Sequence, residues 1–414
     1  MQVRNIRTFA VMKEEMRHKG DWRAFMREHA SDDLNRLLLS ASRYPEVDIP
    51  FVVDQLKARR QIKDKLPLWY QNDALIFPSK VAAEQASSEL TARYKQRLIK
   101  PTMRLCDLTG GLGIDSYYFS RRAKEVIYVE RFPAYCEAAI HNFKVLGADN
   151  IHVIKGDAVT FAETAEGFDV FYMDPARRGA CNKRIYALRD CEPDLTGLAP
   201  LLLRQAPLVI AKLSPMADLR EIQASLPPIT TFHVVSVSNE CKEIIVELSR
   251  ETVEETKIIC VNLSPNGREE SFTFTGQEER DASTCLADQV KTYLYEPNAS
   301  IMKAGAFKVL AQRFNLYKLH VSSHLYTSDI LIKDFPGRIF EMEEVFPFNN
   351  KLCKNLAKSI PQANITTRNF PLSVADLRKR TKITDGGNTF LFATTLADGS
   401  KVLIQTHKYQ HKVF

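Results

Sequence analysis

The 414-residue chain carries 57 Lys or Arg against 50 Asp or Glu, a formal net charge of +7, with 45% hydrophobic and 26% charged residues. These are the proportions of folded globular protein with material for two or three domains. A mean hydropathy of −0.24, with even the longest apolar run (Leu198 to Ala211) interrupted by Arg204 and Gln205, excludes a helical membrane protein.

The first residues contain no apolar segment of the secretory type, which leads to the expectation of a cytoplasmic protein. The eight cysteines form no C-x-x-C pair and the nine histidines no H-E-x-x-H motif. Reduced thiols, no metal and no membrane partner are therefore expected.

In chain order, the sequence opens with apolar residues at helical spacing. The stretches "TFAVMKEEMRHKG", "DWRAFMREH", "SDDLNRLLLSASRY" and "VDIPFVVDQLKARRQIKDKL" predict helices, with Asp21 and Ser31 as N-caps and Gly20 as a stop. After a loop, "VAAEQASSELTARYKQRLI" predicts one more helix. From Met103 the pattern changes to strands alternating with helices: "MRLCDL", "EVIYVE", "IHVIKG", "FDVFYMD" and "LVIAKLS" are the strands. A β-α-β-α series of this kind predicts a doubly wound parallel sheet. It closes with two strands around Asn239-Glu240-Cys241. Further on, "ASIMKAGAFKVLAQRFNL" predicts a helix, and the last segment reads β-α-β-α-β-β. Four segments are expected: a helical domain over 1–78, a Rossmann-like α/β domain over 79–250, an α+β region of ferredoxin-like character over 251–335, and a basic α+β domain over 336–414.

Four acidic residues fall at successive strand ends: Asp107, Glu130, Asp157 and Asp174. In an open α/β sheet the carboxyl edge is where ligands bind. After Asp107, "LTGGLG" supplies Thr109, Gly111 and Gly113, which allow a sharp turn and close approach of a ligand. A dinucleotide fingerprint would need a third glycine where Ser116 stands. Glu130 lies where a carboxylate can accept two ribose hydroxyls. Asp157 could cap the following helix, a role compatible with a ligand contact. At the fourth tip stands Asp174-Pro175-Ala176-Arg177-Arg178. The arginines could meet a base or phosphate, or simply pair with Asp190, Glu192 or Asp194. Ser88 and Thr91 could lie over the pocket, though an ordinary helix position explains them better.

The frame of Asp107, Gly111 and Gly113, followed by "YVE", "DPARR", "KLSP" and "NECKE", resembles class I S-adenosylmethionine-dependent methyltransferases, in particular bacterial proteins with a C-terminal THUMP-like domain. The resemblance covers about residues 70–250, with "LRKRTKITDGGNTFLFAT" near the end. It implies S-adenosylmethionine as cofactor, held by Asp107, Thr109, Gly111, Gly113, Glu130 and Asp157. Asp174, Pro175 and Arg177 resemble the Asp-Pro-Pro-aromatic motif of enzymes that methylate exocyclic amines, with the aromatic residue replaced. They also resemble the Asp-Pro-Pro-Arg of uracil-carbon methyltransferases. Carbon attack needs a cysteine after the next strand, and "AKLSPMADL" has none. THUMP-type domains imply RNA, ribosomal or transfer, as partner. From Arg338 onward twelve Lys or Arg stand against six Asp or Glu, a difference of +6. Within it Arg378, Lys379, Arg380 and Lys382 would offer phosphate contacts, or form a basic helix end favourable to its own dipole. A protein or small-molecule substrate, or a silent RNA-binding protein that keeps the cofactor, are the alternatives.

Overall fold

The structure, a computed structural model, describes residues 21–177, 188, 191–226, 228–251 and 253–409. Backbone contacts divide the chain into two units: Met1–Thr230 with Ile244–Thr252, and Thr231–Glu243 with Val253–Phe414.

The first unit begins with helices Trp22–Glu28, Leu34–Leu39 and Ile49–Ile62. Asp21 caps the first through the N–H groups of Arg23 and Ala24, as its position predicts. The second is capped by Asp33, not Ser31, because Asp33 is the residue that immediately precedes the helical turn. The predicted helix over "TFAVMKEEMRHKG" and the stop at Gly20 lie outside the described residues. The single helix expected over 81–99 is two, Lys80–Gln85 and Glu89–Gln96. The chain breaks at Ala86 and Ser87, and Ser88 restarts it by accepting the Thr91 N–H.

These helices are not a separate body. Gln55 is buried and exchanges two hydrogen bonds of 2.9 Å with the backbone of Phe77. Asn142, fully buried in helix Pro133–Val145, does the same for Ile76 at 2.8 and 2.9 Å. Burying such groups demands these partners, so the expected boundary near residue 78 falls on a welded segment.

The first unit's sheet contains β1 (Arg104–Asp107), β2 (Glu125–Glu130), β3 (Ile151–Lys155), β4 (Val170–Met173) and β7 (Leu208–Leu213), all parallel. The C-terminal part of β9 (Glu240–Ser249) pairs antiparallel with β7. The spatial order is β3-β2-β1-β4-β7-β9. The order reverses between β1 and β4, the switch point at which a doubly wound sheet opens a crevice. A short ribbon, β5 (Ala176–Arg177) against β6 (Cys191–Glu192), follows β4.

In the second unit, β8 (Ile229–Val237) pairs in parallel with β10 (Lys257–Leu263), which pairs antiparallel with β11 (Glu269–Thr275). Ser238 and Asn239, both at positive φ, make the tight turn into β9. A seven-stranded sheet has the order β13-β14-β12-β15-β18-β17-β16, with β12 at Tyr293–Pro297, β13 at Tyr317–Lys318, β14 at Tyr326–Ser328, β15 at Gly337–Pro347, β16 at Asn364–Arg368, β17 at Thr389–Thr395 and β18 at Lys401–Lys408. Because β12 is laddered to β15, the expected boundary at 335/336 falls between neighbours in one sheet.

Buried Glu296 on β12 reinforces that join. Its Oε2 accepts from Arg338 Nε at 2.8 Å and its Oε1 from Arg368 Nη2 at 2.8 Å. The helix expected over "ASIMKAGAFKVLAQRFNL" is two, Ala299–Ala304 and Lys308–Arg313, because Gly305 at φ 79° terminates the first in the left-handed region. The last segment follows its predicted β-α-β-α-β-β order, with helices Asn350–Ser359 and Val374–Thr381 packed on each other.

Candidate active site

The turn after β1 is shaped by what lies beneath it. A Cβ on Gly110 would fall 2.2 Å from the Tyr128 ring, and one on Gly113, at φ 83°, 2.7 Å from Phe143. These two rings meet edge to face at 5.6 Å, so the loop rests on an aromatic floor that tolerates no side chain. The Tyr128 hydroxyl donates to the Gly111 carbonyl at 2.6 Å. On the other side the loop is open: a Cβ on Gly111 would meet only the Thr109 oxygen, at 3.6 Å. The next helix, Ile114–Ser120, has no side-chain N-cap.

Asp107 is 1% exposed and turns inward. Its Oδ1 accepts the Thr109 N–H at 3.0 Å and its Oδ2 the Ser116 hydroxyl at 2.6 Å. Ser116, the residue that spoils the dinucleotide pattern, is thus the anchor of the β1 carboxylate. The Thr109 hydroxyl in turn accepts the Asp174 N–H at 2.7 Å, tying the β1 turn to the tip of β4. Burial pushes the Asp107 carboxyl up to about 7, against the lowering effect of its two hydrogen bonds.

That shift has a sign. An unfolded Asp titrates near 3.9, so between about pH 4 and 7 the folded chain holds a proton the unfolded chain has lost, and stability falls with rising pH by up to about 1.4 kcal/mol per unit. Above the folded value it levels off. Asp107→Asn should remove this decline, visible as a denaturant midpoint that no longer drops relative to wild type between pH 5 and 8.

Glu130, at the end of β2, faces the same loop. Its Oε2 accepts the Gly111 N–H at 3.0 Å and its Oε1 the Phe132 N–H at 2.9 Å. Each oxygen retains a second lone pair for a hydroxyl. Asp157 is exposed and caps helix Ala158–Thr164, with Oδ1 accepting from Val159 and Thr160 at 2.9 and 3.1 Å. Its capping role is therefore present. Two exposed apolar residues that the sequence reading passed over, Phe132 and Val159, follow directly on these strand ends.

Asp174 forms an ion pair of 2.6 Å with Lys212 of β7. Pro175 is buried. Arg177 has its backbone in β5; its side chain, with Arg178 and Asp190, lies outside the described residues. Of the carboxylates offered to those arginines, Glu192 pairs with Arg131 at 2.6 Å and Asp194 caps helix Leu195–Gln205.

Behind the tip lies a buried network that sequence reasoning missed. Lys95, 0% exposed, places Nζ 3.0 Å from Asp115 Oδ1 and 2.8 Å from the Ser87 hydroxyl. Asp115 Oδ2 accepts from Ser87 at 2.8 Å and from the Tyr172 hydroxyl at 2.7 Å. Ser88 and Thr91 bond to each other at the start of their helix; Ser87 and Lys95 are the residues of that stretch that reach the sheet edge.

Among the described residues no helix is long and apolar enough to cross a membrane, and no group of three or more His, Cys, Asp or Glu could hold a metal ion.

Comparisons with known proteins place this geometry. Residues 293–336 match a family described as a ferredoxin-like domain, and residues 337–408 one described as THUMP domain-like. A 23S rRNA (uracil(1939)-C(5))-methyltransferase, RlmD, from Cronobacter sakazakii is 26% identical over 140 residues, which span about a third of either protein (31% of this chain and 32% of that one). The crystal structure of a putative methyltransferase from Porphyromonas gingivalis W83 is 39% identical, covers 94% of this chain and 98% of that one, and superposes with a TM-score of 0.85. The chain therefore belongs to the family of that Porphyromonas gingivalis protein, and is a methyltransferase of the class I, S-adenosylmethionine-dependent type with a THUMP-like domain near its C-terminal end.

Proposed function

We propose that the enzyme transfers a methyl group from S-adenosylmethionine to an exocyclic base amine in ribosomal or transfer RNA. The observation that carries this reading is the placement of Asp174-Pro175 at the tip of β4, beside the switch point. The Asp174 backbone is pinned to Thr109 and its carboxylate faces Lys212.

The cofactor fits the residues present. The open face over Gly111 suits close approach of its amino-acid portion, Glu130 is preset for the ribose, and Phe132 and Val159 supply apolar surface for the adenine, with Asp157 beside them. When bound, the cofactor supplies an electrophilic sulfonium methyl, the pair of the breaking S–C bond returning to sulfur. The protein's task is to prepare the nucleophile. An aromatic amine has its lone pair delocalised into the ring. An Asp174 oxygen and the Pro175 carbonyl accept its two N–H bonds, draw the nitrogen toward tetrahedral geometry and stabilise the charge that develops there. The excess proton on nitrogen leaves to water after transfer.

Calorimetry should show S-adenosylhomocysteine binding in preference to NAD, and Glu130→Ala should weaken it roughly 10–100-fold, the loss expected when charge-assisted hydrogen bonds are removed. Tight NAD binding with none of S-adenosylhomocysteine would overturn the reading. The target is identified by incubating enzyme and labelled S-adenosylmethionine with RNA from a strain lacking the gene, followed by nucleoside mass spectrometry.

One observation favours a second reading, attack on a pyrimidine carbon. The β5–β6 ribbon returns a cysteine to this edge, Cys191, in register with Arg177. An N-methylated base and an active Cys191→Ser enzyme support the amine; a C-methylated base with Cys191→Ser inactive supports the carbon.

For RNA, Lys379, Arg380 and Lys382 are exposed, and the adjacent helix 350–359 adds exposed Lys351, Lys354 and Lys358. Arg378 differs from its neighbours. It donates to the Ile383 and Ala363 carbonyls and pairs with Asp385, which makes it part of the domain's own structure. Replacing Lys379, Arg380 and Lys382 by Ala should lower the salt slope of log affinity by about 0.7 per lost contact for single strands, read by gel shift at several salt concentrations, with cofactor affinity unchanged.

A further inference from the structure

Lys212 is an unexpected residue for its place. It is the penultimate residue of β7, a strand of the burial-rich centre of the sheet, and its side chain is 14% exposed. A Leu or Met would fold there without the desolvation that an ammonium suffers. What the lysine gains is Asp174, with Nζ 2.6 Å from Oδ2. It also lies close enough to Asp115 to help hold that carboxyl below its ordinary range, second only to Lys95. Two pairs of opposite charge thus stand near the tip of β4, Lys95 with Asp115 on helices 89–96 and 114–120, and Lys212 with Asp174 on β7 and after β4.

Asp174 has another acidic neighbour, Asp107, whose ionisation its charge opposes. Without Lys212, Asp174 would face Asp107 with no cation from β7 to offset it.

We infer that Lys212 is the positioning residue of the methyl-transfer step: it occupies Oδ2 of Asp174, so that Oδ1 is the oxygen presented to the substrate amine. This rests on the reading of Asp174 given above.

The test is direct titration of the Asp174 carboxyl by carbon NMR in ligand-free enzyme, with the resonance identified by its loss in Asp174→Asn. In Lys212→Gln the midpoint should rise by about one unit or more, as for a carboxylate that loses a cation within contact distance; Lys212→Arg should restore it. With the RNA and labelled cofactor described above, Lys212→Gln should lose roughly 10–100-fold in turnover, show an acid limb displaced upward in pH, and keep its KM for S-adenosylmethionine. Asp174→Asn gives the reciprocal measurement, a Lys212 ammonium that titrates lower than in wild type, and serves if Lys212→Gln does not fold. An Asp174 midpoint identical in wild type and Lys212→Gln, or a Lys212 titration unmoved by Asp174→Asn, overturns the inference. A shifted midpoint in an enzyme that methylates no RNA upholds the pairing and overturns the proposed function instead.

Discussion

Asp174→Ala should cut methyl transfer by roughly 10²–10⁴-fold, the range for removal of a group that handles the reacting proton-bearing atom, while the affinity for S-adenosylhomocysteine stays near that of wild type. The two effects separate because the residues separate. The ribose contact falls to Glu130, which is fixed by the N–H groups of Gly111 and Phe132. The link from Asp174 to the cofactor loop is its backbone N–H on Thr109, and an alanine keeps that bond. A contact made to the amine as it becomes tetrahedral lowers turnover without altering ground-state binding. Single-turnover transfer measured beside calorimetry decides the point. Full activity in Asp174→Ala would leave the motif a purely structural one. A parallel loss of cofactor affinity would move Asp174 into the cofactor pocket.

The parts of this molecule that sequence made legible are those set by neighbours along the chain. Alternation of apolar strands with helices from Met103 onward reports the parallel sheet because β1, β2, β4 and β7 are buried on both faces. The strand-end carboxylates could be placed because a strand's end is a local event. The β-α-β-α-β-β order after Arg338 was legible for the same reason. Sheet membership was not. The pairing of β12 with β15 joins residues 293–297 to 337–341, and nothing local at either end records it.

Two helices were read as one at Gly305, where a glycine inside an apolar pattern is locally ambiguous until its φ is known. The same ambiguity hid the break before Ser88. Position alone offers Asp107 to the cofactor; that its two oxygens also accept from Thr109 and Ser116 is invisible without the fold of the turn. Lys95 reads in sequence as an ordinary solvated helix residue. Its counter-ion is twenty positions away on a different helix, and only the packing of both against β4 brings them together.

That buried pair sets the second large effect. Asp115→Ala should destabilise the first unit by about 3–5 kcal/mol, the range for breaking a buried ion pair by removing one partner. Lys95 Nζ, at 0% exposure, would keep the Ser87 oxygen and lose the Asp115 carboxylate 3.0 Å away. The Tyr172 hydroxyl would lose its 2.7 Å acceptor at the same time. For a unit of this size the melting temperature should fall by on the order of 10 °C, measured by scanning calorimetry. Lys95→Met alone should cost less, because Asp115 would still accept from Ser87 and Tyr172 and still feel Lys212. The double variant Lys95→Met with Asp115→Asn should recover most of the loss, since removing both charges of a buried pair is often close to neutral, and an amide oxygen can still accept from Tyr172. Additive losses in the double variant would mean that the two residues act independently and that the network does not hold helix 89–96 to the tip of β4. Recovery of stability without recovery of methyl transfer would show that the ion pair serves the arrangement at Asp174 more than it serves the fold.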